Sequence, residues 1–341
     1  MPLLQVTDLR VRLATQRGPA DAVRGVSFAL ERGETLGLIG ESGCGKSITA
    51  LALLGLLPER AIVSGSIRFD GEELVGRSDA ELCRLRGNRI GIVFQEPMTA
   101  LNPLHTIGHQ VAEPLRLHKG LAADAARKEA IALLERVGLP DAGRRVDTYP
   151  HQLSGGQRQR VTIAMALACG PDLLIADEPT TALDVTIQGQ ILDLIADLVA
   201  ERGMALMLIS HDLGVIAQNV ARMLVMYGGS VVESGPTAAV FARMAHPYTQ
   251  GLFAARPKLG AAPGTRLVTI AGTVPELVDL PPGCPFTDRC RIAVADCRDT
   301  PPPPVQISAG HISRCLRVEV ALASADAATN PDATSRTGAH A

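Results

Sequence analysis

The residues best suited to chemistry form a run of eight, Gly40-Glu41-Ser42-Gly43-Cys44-Gly45-Lys46-Ser47, with the pattern G-x-x-x-x-G-K-[ST]. Glycines are needed there because consecutive backbone N–H groups must turn inward to surround an anion, and a following helix adds its positive end. Lys46 supplies a point charge for β- and γ-phosphates, and the Ser47 hydroxyl offers a ligand for Mg²⁺. Cys44 takes no part in this chemistry but lies beside the phosphates, so alkylating it is expected to block nucleotide binding.

Four further features follow in a fixed order. Gln95 comes after the apolar run 90–94, Asp177 and Glu178 after the run 173–176, and His211 after the run 205–209. Leu153-Ser154-Gly155-Gly156-Gln157 precedes a helical pattern. Taken singly, Asp177-Glu178-Pro179 reads as a strand-end turn, Gln95 as a loop cap and His211 as a helix-start residue. Their order behind a phosphate loop favours the chemical reading.

The elements that must position these groups are legible as pattern. Apolar runs at 36–39, 90–94, 173–176 and 205–209 read as buried strands. Helical patterns occupy 47–56, 123–137, 157–168 and 185–201. This alternation predicts an α/β fold with a mostly parallel core sheet, and residues 3–30 alternate as an antiparallel β layer beside it. After Tyr248 prolines accumulate, disfavouring helices, and 323–341 are too poor in apolar bulk to order, so they read as a disordered tail. The expected organisation is a nucleotide-binding domain over 1–245, an extension over 246–322 and the tail.

With the loop and Leu153–Gln157 both present, the chain resembles the ATP-binding subunits of ABC transporters over about residues 3–241. The resemblance implies an ABC-type P-loop ATPase with a helical subdomain, using ATP and Mg²⁺. It implies that Asp177 holds Mg²⁺ through its water shell, together with Ser47 and Gln95, and that Glu178 orients or deprotonates the attacking water. Gln95 is similar to the Q-loop glutamine, His211 to the switch histidine, and Thr181-Ala182-Leu183-Asp184 to the D-loop that places Asp184 at the nucleotide. Ser154, Gly155, Gly156 and Gln157 resemble the signature that, in the family, serves the nucleotide of the opposite subunit. Family members often stack an aromatic ring on adenine from the first β layer, and Leu13-Ala14-Thr15-Gln16 offers none.

Gln95-Glu96-Pro97-Met98-Thr99-Ala100-Leu101-Asn102-Pro103, Tyr149-Pro150-His151-Gln152 and His246-Pro247-Tyr248-Thr249 resemble dipeptide and oligopeptide import ATPases. Nickel, glutathione and oligosaccharide importers built on similar ATPases stay open. Implied partners are two integral-membrane permease subunits, a second ABC ATPase that is often a different chain, and, indirectly, an extracytoplasmic substrate-binding protein. Four cysteines in the proline-rich extension, Cys284, Cys290, Cys297 and Cys315, are spaced C-x5-C-x6-C-x17-C, without the C-x2-C knuckle of most zinc ribbons. Four thiolates suit an iron-sulfur cluster, and the resembled ATPases can hold a 4Fe-4S cluster here. Zinc, with His311 replacing one thiolate, and no metal are the alternatives. Cys83 and Cys169 read as ordinary thiols or small core residues.

Composition narrows the classes further. A net charge of -2, no tryptophan and nine Phe or Tyr residues give neither a basic surface nor stacking platforms for nucleic acid. The single signature and the lack of basic runs also weigh against a soluble ABC ATPase acting on ribosomes or DNA ends. No apolar run approaches the roughly 18 residues of a membrane span, and residues 1–5 lack the pattern of an export signal. The expected location is the cytoplasmic face of the inner membrane, reached through protein partners.

Overall fold

The computed structural model describes residues 1–181, 183–256 and 269–329. Its strands are β1 (Leu4–Thr15), β2 (Gly18–Leu30), β3 (Thr35–Ile39), β4 (Ile62–Phe69), β5 (Glu72–Glu73) and β6 (Ile90–Val93), then β7 (Leu173–Asp177), β8 (Ala205–Ser210), β9 (Arg222–Tyr227), β10 (Ser230–Pro236), β11 (Val305–Ser308) and β12 (His311–Ser313). They form a four-stranded sheet, β2-β1-β4-β5, and an eight-stranded sheet, β11-β12-β10-β9-β3-β8-β7-β6. In the larger sheet β6, β7, β8, β3 and β9 run parallel, so their carboxyl ends lie along one edge.

That parallel core explains the unbroken apolar runs. Leu173, Ile175, Met207 and Ile209 face one apolar cluster, shared with the β1–β2 layer and the helix Lys46–Leu54. Their neighbours Leu174, Ala176, Leu206 and Leu208 face a second cluster, shared with the helical side of the molecule. A strand buried on both faces needs apolar residues at every position. On the helical side, Ile107–Lys119, Ala123–Arg136 and Gly155–Leu167 pack on one another as the expected helical subdomain.

The C-terminal region departs from the sequence reading in two ways. Helix Pro247–Ala254 starts with its proline at the first helical position, where the missing N–H costs nothing, and His246 caps it by accepting from the Tyr248 N–H. A last helix, Val318–Thr329, runs through the alanine-rich start of the segment read as a disordered tail. Low apolar content argues against a core, but alanine has the highest helix propensity, and here propensity prevails. The rest of that reading, 330–341, lies outside the described residues, as do 257–268.

The extension is also built into the sheet. Strand β12 pairs antiparallel with β10, Glu233 opposite Ser313 and Ser234 opposite Ile312, and β11 adds to its far side. Below that seam the buried Glu233 carboxylate accepts from the backbone N–H groups of Ala245 (2.7 Å) and His246 (3.1 Å), and its Oε1 lies 2.8 Å from His311 Nε2. The expected division at 245/246 therefore falls on a hydrogen-bonded knot. Among the described residues, no helix is long and apolar enough to cross a membrane.

Candidate nucleotide site

The carboxyl ends of four adjacent parallel strands carry the predicted chemistry. The phosphate loop follows β3, His211 follows β8, Asp177 ends β7 with Glu178 next, and Gln95 lies just past β6. Crevices beyond strand carboxyl ends are where open α/β sheets bind ligands.

The loop is packed so tightly that two glycines are steric necessities. A Cβ on Gly40 would stand 2.2 Å from the Met226 carbonyl oxygen, and one on Gly45, at φ 101°, 2.6 Å from that of Ala22. Lys46 is buried, and its Nζ donates to the carbonyls of Gly40 (2.8 Å) and Glu41 (3.2 Å) while standing 3.9 Å from Glu178 Oε1. Cys44 is 1% exposed, and burial pushes its thiol up in pKa. A buried thiol with a raised pKa is a poor nucleophile, so alkylation at Cys44 should be slow in the folded chain, whereas Cys83 is exposed.

Asp177 is buried near the Ser47 hydroxyl, and its Oδ1 has no hydrogen-bond partner among the described residues. Burial raises its pKa, the Glu178 charge adds to the rise, and Ser47 and Lys46 oppose it. A buried, half-unsatisfied carboxylate beside a hydroxyl is suited to a hydrated divalent cation, since Mg²⁺ keeps several waters and takes one or two carboxylates.

Glu178 is the hub. Its Oε2 accepts from Gln95 Nε2 (3.0 Å) and Thr181 Oγ1 (3.0 Å) and lies 3.2 Å from His211 Nδ1. Its backbone has φ 46°, a conformation that a non-glycine residue rarely takes, and the N–H is tied to the Ile209 carbonyl at 2.9 Å. Strain of this kind concentrates where a side chain must be aimed. The sequence reading placed Gln95, Glu178 and His211 together but assigned no role to the Thr181 hydroxyl.

The signature stands apart. Ser154 and Gln157 form a capping box at the start of helix Gly155–Leu167, the Ser154 oxygen accepting from the Gln157 N–H and the Gln157 side chain from the Ser154 N–H. Among the described residues, none of Ser154, Gly155, Gly156 and Gln157 bonds to loop 40–47. Asp184 is likewise occupied locally, capping helix Val185–Arg202 through the Ile187 N–H at 3.0 Å. Ala182, within the same predicted segment, lies outside the described residues.

Cys284, Cys290, Cys297 and Cys315 line one small cavity with His246, Pro247, Phe286 and Thr287. All four are free thiols, and burial pushes Cys284 up to about 12. His246 is buried and held neutral, its pKa lowered to about 3 by burial, and its Nε2 has no hydrogen-bond partner among the described residues. His311 points to Glu233 instead, so it does not supply the fourth ligand of the zinc alternative. Among the described residues, no three of His, Cys, Asp and Glu are gathered closely enough to grip a single metal ion.

Known proteins place this architecture. Residues 23–181 match the ABC transporter family, and residues 232–297 match the oligopeptide/dipeptide transporter C-terminal region. A solved dimeric ATP-binding cassette, in a post-hydrolysis state bound to ADP and phosphate, is 30% identical with a TM-score of 0.62, covering 69% of this chain and 98% of that one. Fold and site thus define an ABC-type ATP hydrolase. A Brucella melitensis protein named "Putative peptide import ATP-binding protein" is 49% identical over 93% of this chain and 97% of its own length. The oligopeptide transport ATP-binding protein OppD of Mycobacterium tuberculosis is 48% identical over 94% of this chain and 52% of its own. The chain belongs to the peptide-import ATP-binding subunits of ABC transporters.

Proposed function

We propose that this chain hydrolyses ATP to drive uptake of dipeptides or oligopeptides through a membrane complex, bound to the cytoplasmic side of two permease subunits. The match of residues 232–297 to the oligopeptide/dipeptide transporter C-terminal region supports the substrate class. In this reading Gly40, Glu41, Ser42, Gly43, Cys44, Gly45 and Lys46 cradle the triphosphate, and Ser47, Asp177 and Gln95 hold Mg²⁺. When bound there, Mg²⁺ would neutralise charge developing on the phosphates. Glu178 orients or deprotonates the attacking water, with His211 near the γ-phosphate. Ser154 to Gln157 and Asp184 act across a dimer interface on the partner ATPase's nucleotide, which fits their separation from this chain's own loop.

Cells whose only copy carries Lys46→Ala should lose uptake of a labelled oligopeptide while the complex still assembles; retained uptake rejects the reading. Labelled nickel, glutathione and oligosaccharide run in parallel identify a different cargo.

For the cysteine cavity we propose a 4Fe-4S cluster held by Cys284, Cys290, Cys297 and Cys315. The support is that four free thiols line one small cavity beside a histidine nitrogen that lacks a partner among the described residues. Such clusters are held by four cysteine thiolates and supply one-electron chemistry. Protein purified without oxygen should be brown and contain iron and sulfide, and Cys290→Ser should abolish the colour. A colourless, iron-free wild-type protein overturns the assignment.

A further inference from the structure

Every polar handle of Glu41, the second residue of the phosphate loop, is engaged, and two of its partners come from the C-terminal extension. Its N–H donates to the Tyr248 hydroxyl at 2.8 Å. Its carboxylate is gripped by both ends of the Arg289 guanidinium, Nη1 to Oε2 at 2.7 Å and Nη2 to Oε1 at 3.1 Å. Its carbonyl accepts from Lys46 Nζ. Tyr248 lies 207 residues away along the chain and Arg289 lies 248 away.

Both partners are rigidly held. The Arg289 side chain is 5% exposed and also donates to the Ala271 carbonyl (2.9 Å) and the Tyr227 hydroxyl (3.3 Å). Its guanidinium carbon lies 5.8 Å from the centre of the Tyr227 ring and 5.9 Å from that of Phe286. Tyr248 is fully buried, edge-on to Tyr227 with ring centres 4.7 Å apart. A planar fork preorganised in this way binds a carboxylate bidentately with little further loss of freedom.

The electrostatics give these contacts a purpose. A carboxylate in the loop that must take up a polyphosphate would repel it, and the repulsion is strong where water is excluded. Arg289 cancels that charge, and Tyr248 fixes a loop residue whose carbonyl, with that of Gly40, holds Lys46. We infer that Arg289 and Tyr248 are positioning residues for ATP binding, through which the C-terminal extension braces the phosphate loop. This rests on the nucleotide reading of residues 40–47.

The test measures equilibrium MgATP binding by the full chain and ATPase kinetics of the assembled complex. Arg289→Ala should raise Kd and KM for MgATP by roughly 10-fold or more, the range for losing a hydrogen bond to a charged group, with kcat within about 2-fold. Arg289→Lys keeps the charge without the fork and should recover part of the loss. Adding Glu41→Gln to Arg289→Ala should restore much of the affinity, because the uncompensated charge is then gone. Tyr248→Phe keeps the ring packing and should raise KM by several-fold with an unchanged melting temperature. Unchanged KM in both Arg289→Ala and Tyr248→Phe, or a Glu41→Gln double variant no better than Arg289→Ala, overturns the inference. Lys46→Ala is the control: if it binds MgATP normally the nucleotide reading itself fails, whereas loss of binding there with normal binding in the other variants defeats only the brace.

Discussion

Glu178→Gln should lower ATP turnover by about 10²- to 10⁴-fold, the usual contribution of a positioned general base, while leaving MgATP affinity within a few-fold. The amide keeps the shape that Gln95, Thr181 and His211 surround but cannot take a proton from water. Binding survives because it depends on the loop backbone, Lys46 and the divalent cation. A variant that binds but does not turn over should also accumulate as a nucleotide-bound dimer, visible by size exclusion with MgATP. Wild-type turnover in Glu178→Gln would remove this residue from the chemical step.

Glu233→Ala should destabilise the chain by about 3–5 kcal/mol, the cost of breaking a buried, hydrogen-bonded charged group. The substitution orphans two backbone N–H groups, at Ala245 and His246, and leaves the buried His311 ring without its carboxylate. The midpoint of urea unfolding should fall accordingly. Arg127→Ala provides the contrast. Its bidentate pair with Asp147 is largely exposed, with side chains 46% and 65% accessible, and its loss should cost no more than about 1 kcal/mol. Equal losses in the two variants would mean that Glu233 is not holding the extension to the sheet.

What could be read from the sequence was whatever is local in the chain. Residues 173–177 announce a strand buried on both faces, Lys46 and Ser47 follow a glycine pattern dictated by backbone geometry, and Ser154 and Gln157 close a capping box within four residues. Gln95, Glu178 and His211 were foreseeable as one site because each ends or follows a strand of the same parallel set. The brace on Glu41 carried no such signal. Arg289 is one arginine among many, and its role follows from a fold that returns the chain to the loop 248 residues later. Tyr248 could have been suspected, since it is one of only three tyrosines and sits in the string His246-Pro247-Tyr248-Thr249, but nothing in that string names Glu41 as its target. The last helix was missed for the opposite reason, an alanine-rich segment judged by its lack of apolar bulk rather than by its propensity.

The pairing of β12 with β10 bears on how the chain is made. Until the extension arrives, β10 presents unpaired backbone groups along a sheet edge, the surface on which nascent chains associate wrongly. His311 follows Glu233 by 78 residues, so at ordinary ribosomal rates that edge and the Glu233 carboxylate wait about 4–16 s for their partners. The ATPase fold is therefore completed late in synthesis, and a chain cut short before residue 311 would carry every nucleotide motif yet keep an open, sticky margin.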